Sequence, residues 1–268
     1  MVKRLNQPDG DQDAFIDQVV IERQKGKNAQ FFTGIKADRN ARVQAYLAAS
    51  GDPALIQSWQ AAQPDAQKFQ NLYSHPTKGS IQEPVLASLR SRELQMCPTC
   101  GEDGTPNTLD HYLPKQTYPE FSITACNLVP MCDICQGEKL TDTVNAANKR
   151  LFLHPYFDQF IDQQVLHLDI GEPYDAPMTI TLTPHPGLDP LQTALVARHL
   201  EHLAIAKRYH RFFKDEYLGL LRLVRTIRTK DMDVTANLVT RPQINLEAVN
   251  GCRVFSDVQA AAEYVGQL

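Results

Sequence analysis

Two C-x-x-C pairs constrain this chain more than any other feature of its sequence. Cys97 and Cys100 form the first and Cys132 and Cys135 the second, with 31 residues between Cys100 and Cys132. A C-x-x-C turn brings two thiolates to one point, and zinc takes four such ligands in a tetrahedron. Two pairs therefore predict a closed structural Zn2+ site tying residues 97–100 to residues 132–135. Gly101 follows the first pair and lets the chain fold back over a metal. In a secreted chain the same cysteines would suggest disulfides, and a thioredoxin-type motif needs one C-x-x-C inside a βαβ pattern rather than two. Cys126 and Cys252 read as small buried hydrophobes.

The chain has 268 residues, 43 % of them hydrophobic, enough to bury a sizeable core. No apolar run is long enough to cross a bilayer. The opening "MVKRLNQPDGDQD" has basic residues but no apolar stretch behind them. A cytoplasmic location and no membrane partner are therefore expected. The formal net charge of −4 argues against a coat of positive charge. Residues 190–230 nevertheless carry nine Lys/Arg against three Asp/Glu. Such a basic stretch beside an acidic remainder suits a phosphate-binding surface, or equally a solvated helix face.

The periodicity predicts an α+β chain that is predominantly helical, in three parts: residues 1–95, 96–145 and 146–268. Helices are expected over "DAFIDQVVIERQ", "ADRNARVQAYLAAS", "PALIQSWQAAQ", "DAQKFQNLY" and "EPVLASLRSRELQ", the last running directly into Cys97. Arg90 and Arg92, just before the first cysteine pair, read as exposed surface arginines, with phosphate contact as the other reading. "LFLHPYFD" reads as a structural cover, with His154 and Asp158 as no second site. "VLHLDI" and "MTITLTP" read as strands. A long amphipathic helical region follows, with Gly219 as the place where it kinks or splits, and "SDVQAAAEYVGQL" reads as a terminal helix.

The most informative residues lie between the cysteine pairs. Asp110 and His111 are adjacent, Asn127 comes sixteen residues after His111, Gln136 nine after Asn127, and Lys139 three after that. Pro114, Tyr118, Pro119 and Phe121 read as loop packing. The order C-x-x-C, Asp-His-x-x-Pro, Asn-Leu, C-x-x-C, x-x-x-Lys, over Met96 to Asp142, resembles the HNH endonucleases of the ββα-metal fold, in their zinc-stapled subgroup. "DHYLPK" and "NLVP" are also similar to HNH proteins of bacterial anti-phage systems of the Septu type, in which a nuclease works beside an ATPase.

The resemblance implies a β-hairpin carrying the histidine and the asparagine, followed by a short helix. It implies DNA as substrate, hydrolysed at its phosphodiester bonds. His111 would be the general base, near its ordinary pKa and able to take a proton from water at neutral pH. Asp110 would hold a hard divalent cation, Mg2+ or Mn2+, with its carboxylate oxygen. Asn127 would fix the histidine ring. Gln136 stands where the family usually has His or Asn as a second ligand, which is a departure; Asp133 is a nearby substitute. Lys139 and Lys115 are candidate phosphate contacts. RNA is a further candidate substrate. A different reading is a non-catalytic zinc-stapled module that binds nucleic acid or protein.

Overall fold

Five α-helices lead towards the first cysteine pair. The computed structural model describes residues 3–102, 105–171, 179–209 and scattered positions between 218 and 229. Helix α1 (Gln12–Glu22) starts at Asp11, whose carboxylate accepts the N–H groups of Asp13 and Ala14. It buries Ile16, Val19 and Val20. The short α2 (Ala29–Gly34), not expected from the periodicity, buries Phe32. Helix α3 (Lys36–Ala48) buries Arg39, Val43 and Tyr46, one per turn. It stops at Ser50 and Gly51, both with positive φ.

Two expectations for this half are corrected. "PALIQSWQAAQ" is not an α-helix: the chain is irregular as far as Trp59, then forms a 3-10 turn over Gln60–Asp65. Side chains rather than helical N–H groups take its carbonyls, Arg42 donating to Gln57 and Tyr118 to Ile56. Helix α4 (Ala66–Ser74) forms as expected. Helix α5 (Gln82–Arg90) ends at Arg90 instead of running into Cys97, and residues 92–95 are irregular.

The centre is a hairpin followed by a helix. Strands β1 (Thr108–His111) and β2 (Leu128–Met131) pair antiparallel, Asp110 opposite Val129 and His111 opposite Leu128. Helix α6 (Asp133–Lys139) starts at Cys132, whose sulfur accepts the Cys135 N–H. The hairpin is covered on both faces. Leu109 and Leu128 pack with Leu86 and Leu89 of α5, while Val129 and Met131 join the main core. From the other side Tyr112 donates to the Phe152 carbonyl, and Tyr156 to that of Leu128. "LFLHPYFD" is thus a structural cover.

The N-terminal helices also hold the connection over residues 112–127. Arg39 donates to the Glu120 carbonyl, Arg42 pairs with the buried Glu120 carboxylate at 2.6 Å, and Tyr46 donates to the Cys126 carbonyl. Pro114, Tyr118, Pro119 and Phe121 are all buried there. One buried cluster contains Ile16, Val43, Tyr46, Leu113, Phe121, Leu151 and Leu200, so residues from all three parts of the chain share it.

Strands β3 (Leu166–Ile170) and β4 (Ile180–Pro184) form a second antiparallel pair. Helix α7 (Pro190–His202) opens on a capping box between Asp189 and Gln192, with Pro190 in its first turn. The helical region splits at Leu203–Ala204, where Ala204 has φ 50°, and resumes over 205–209. Gly219, the break expected from the sequence, lies further on, with 210–217 and 220 outside the described residues. The terminal helix expected over "SDVQAAAEYVGQL" and Cys252 lie outside the described residues. The described architecture is α+β, with two small antiparallel sheets. Among the described residues no helix is long and apolar enough to cross a membrane.

Candidate active site and metal centre

The sulfurs of Cys97, Cys100, Cys132 and Cys135 all lie within 4.8 Å of one another. Those of Cys100 and Cys132 are 3.9 Å apart. Tetrahedral bonds of about 2.3 Å to zinc place sulfurs roughly 3.8 Å apart. The donor set and its spacing therefore fit a metal such as zinc. Backbone N–H groups point at three of the sulfurs: Glu102 donates to Cys100, Cys132 to Cys97, and Cys135 to Cys132. Such donors favour thiolates over thiols. Gly101 has φ 77° and donates to the Cys97 carbonyl, closing the first turn. Cys126 is buried, as expected.

The first knuckle is held from both ends of the described chain. The carbonyl of Pro98 accepts the Lys3 N–H, that of Thr99 accepts from His199 Nε2, and that of Cys100 accepts from the Tyr209 hydroxyl. Arg208 donates to the Cys135 sulfur at 3.2 Å and pairs with Glu102 at 3.1 Å. A four-thiolate zinc site carries two net negative charges, and Arg208 offsets part of that. Two of the basic residues from the 190–230 stretch are thus turned inward, since Arg198 also donates to the Arg150 carbonyl. Arg222 and Arg225 are exposed.

Some way along the hairpin, His111 ends β1 and is 5 % exposed. Its Nε2 lies 2.9 Å from the Ser122 carbonyl, which fixes the proton on Nε2. Nδ1 has no hydrogen-bond partner among the described residues. The Tyr73 ring of α4 stands edge-on, with centroids 4.4 Å apart and planes at 73°. Burial first, and then the Lys115 ammonium, push the His111 pKa down to about 3. The ordinary pKa expected from the sequence is therefore corrected: the ring sits under Tyr73 and the hairpin connection, away from water.

Among the described residues Asn127 makes no hydrogen bond to the histidine ring. Its Oδ1 accepts the Leu113 N–H at 2.7 Å, and its Nδ2 donates to the carbonyls of Leu113 and Phe121. It fixes the connection that presents Ser122, and so acts on His111 through the backbone. Ser122 and Tyr73 are the ring's actual neighbours. Neither was legible from the sequence, because one acts through its carbonyl and the other arrives from a distant helix.

Asp110 is 8 % exposed. The Gln136 amide donates to its Oδ1 at 3.2 Å, so the structure brings these two together. Asp133 is exposed at the start of α6 and makes no hydrogen bond to Asp110. Lys139 is 1 % exposed, with its ammonium 2.9 Å from Asp110 Oδ2 and 2.9 Å from the His111 carbonyl. Its expected role as a phosphate contact is corrected: it is an internal partner of Asp110. Lys115 is half-exposed and lies against the Tyr73 ring.

Over 72 residues the chain is 43 % identical to protein ea31 of Escherichia phage lambda, a match covering 25 % of this chain and 23 % of that protein. This chain therefore spans less than a quarter of that relative's length. No protein-family model matches the chain, and no solved structure matches it significantly.

Proposed function

We propose that this chain is an HNH-type endonuclease that hydrolyses phosphodiester bonds in DNA, with a structural zinc ion in its four-cysteine site and His111 as the general base. One observation carries the reading. His111 is held neutral, with Nε2 tied to the Ser122 carbonyl and Nδ1 without a hydrogen-bond partner among the described residues. A neutral imidazole so oriented can accept a proton from water. An approaching phosphate strengthens that base, because its negative charge favours the imidazolium. The order strand, long connection, strand, short helix supports the ββα-metal reading.

Asp110 and Gln136 are the residues that would hold Mg2+ or Mn2+. Mg2+ is commonly held by one or two carboxylates plus substrate phosphate and water, so two oxygen donors are enough. The amide of Gln136 must then turn its oxygen inward. A cation there supplies charge neutralisation on the phosphoryl oxygens. The proposal extends to anti-phage defence with an ATPase partner. The matched relative is itself a phage protein, so the shared segment is not peculiar to defence systems.

The test is cleavage of supercoiled, linear and single-stranded DNA, and of RNA, with Mg2+ or Mn2+, with and without any ATPase encoded beside the gene. Wild type should cut DNA and a folded His111→Ala variant should not. A second reading, a non-catalytic zinc-stapled binding module, is favoured by the Lys139–Asp110 pair, which already neutralises the carboxylate. No cleavage under any of these conditions would leave that second reading standing.

A further inference from the structure

Outside the Asp-His motif, the helical region before the cysteines and the connection after β1 each bring one cation to the edge of the candidate site. The Arg90 guanidinium, at the end of α5, lies 5.3 Å from the Tyr73 ring centre, and the Lys115 ammonium lies 4.9 Å from it. The two are therefore at most about 10 Å apart. The same ring meets His111 edge-on. Tyr73 is anchored, its hydroxyl donating to the Leu109 carbonyl at 2.7 Å. Gln70, one turn earlier on α4, donates to the Lys115 carbonyl at 3.1 Å. Helix α4 therefore fixes both the ring and the loop that carries Lys115.

Neither Arg90 nor Lys115 pairs with a carboxylate among the described residues, whereas Lys139, Arg42, Arg150 and Arg208 all do. Two like charges on one ring repel each other, and an anion beside them relieves that repulsion. Arg90 is exposed and Lys115 half-exposed, so both can reach a ligand.

We propose that Arg90 and Lys115 form a phosphate clamp on the Tyr73 platform, holding one or two successive backbone phosphates of a nucleic-acid strand beside His111. The clamp makes α4 and α5 part of the substrate site. It rests on the nuclease reading for its substrate class.

The test uses the full chain carrying His111→Ala, with a labelled duplex and a labelled single strand, followed by fluorescence anisotropy across a salt series. Arg90→Gln and Lys115→Gln should each weaken binding several-fold, and each should lower the log–log salt slope by about 1. Arg90→Lys should restore most of the slope. On an otherwise wild-type chain the same changes should raise KM more than they lower kcat. The clamp is overturned if affinity and slope are unchanged while melting confirms folded variants. If wild type cuts nothing but the slopes fall as stated, the clamp stands and the nuclease reading fails. If wild type cuts and neither KM nor slope moves, the clamp alone fails.

Discussion

Lys139 places its ammonium 2.9 Å from the Asp110 carboxylate and, at the same distance, donates to the backbone carbonyl of His111. One buried cation thus fixes both residues of the Asp-His pair, from the last turn of α6. Lys139→Met should leave Asp110 buried without its counter-charge, at a cost of about 3–5 kcal/mol. Millimolar Mg2+ should recover part of that loss if Asp110 is a cation ligand. Urea denaturation with and without Mg2+ measures both, and a Mg2+-insensitive variant would rule out the ligand role.

Asn127→Ala should destabilise the protein as well as slow it. The change removes the buried partners of the Leu113 N–H and of the Leu113 and Phe121 carbonyls, a loss of about 2–4 kcal/mol. A variant with unchanged melting and no activity would instead place Asn127 in direct contact with substrate.

Acid should unfold the chain through its buried histidines. His199 Nδ1 accepts the Leu153 N–H while Nε2 donates to Thr99, a pairing that only the neutral ring can make. His154 is alike, accepting from the Tyr156 N–H and facing the Tyr46 hydroxyl. Burial lowers the His199 pKa to about 4 and holds that of His154 well below the usual range. The unfolded rings bind protons at about 6.5, so stability is full above that pH and falls as pH drops through 6.5 towards 4. His199 alone accounts for roughly 3 kcal/mol of this loss at about 1.4 kcal/mol per pH unit. Urea midpoints at pH 7.5, 6 and 5, with zinc content followed in the same samples, check it. His199→Gln should flatten the slope.

Metal removal should loosen the segment that follows α7. One zinc per chain is expected, absent from Cys132→Ser. Chelation should expose the chain near Arg208 and Tyr209 to protease, because both are held by the two knuckles. An unchanged cleavage pattern in metal-free protein would show that the knuckles hold this segment without metal.

The cysteine cluster was legible because ligand spacing is local: C-x-x-C predicts a knuckle whatever surrounds it. The hairpin was legible only through the resemblance carried by the motif order, and alternation marked the strand in "MTITLTP". What escaped was set by distant packing. Lys139 read as a phosphate contact, and only the fold reveals the carboxylate behind it. Tyr73 sits 38 residues before His111, so no spacing rule joins them. Helix ends also escaped, as at Arg90, where the Ser91 hydroxyl donates to the Ser88 carbonyl and closes the last turn.

The three carbonyl contacts on the first knuckle have a consequence for the order in which the protein is made. His111 leaves the ribosome 98 residues before Tyr209. At about 5–20 residues per second, that interval is roughly 5–20 s. In its later part, once Cys135 has emerged, the hairpin and both cysteine pairs exist while Arg208 and Tyr209 do not. The nascent chain therefore carries its histidine for some seconds before the brace that steadies the metal site arrives, and the centre is completed only as synthesis passes residue 209.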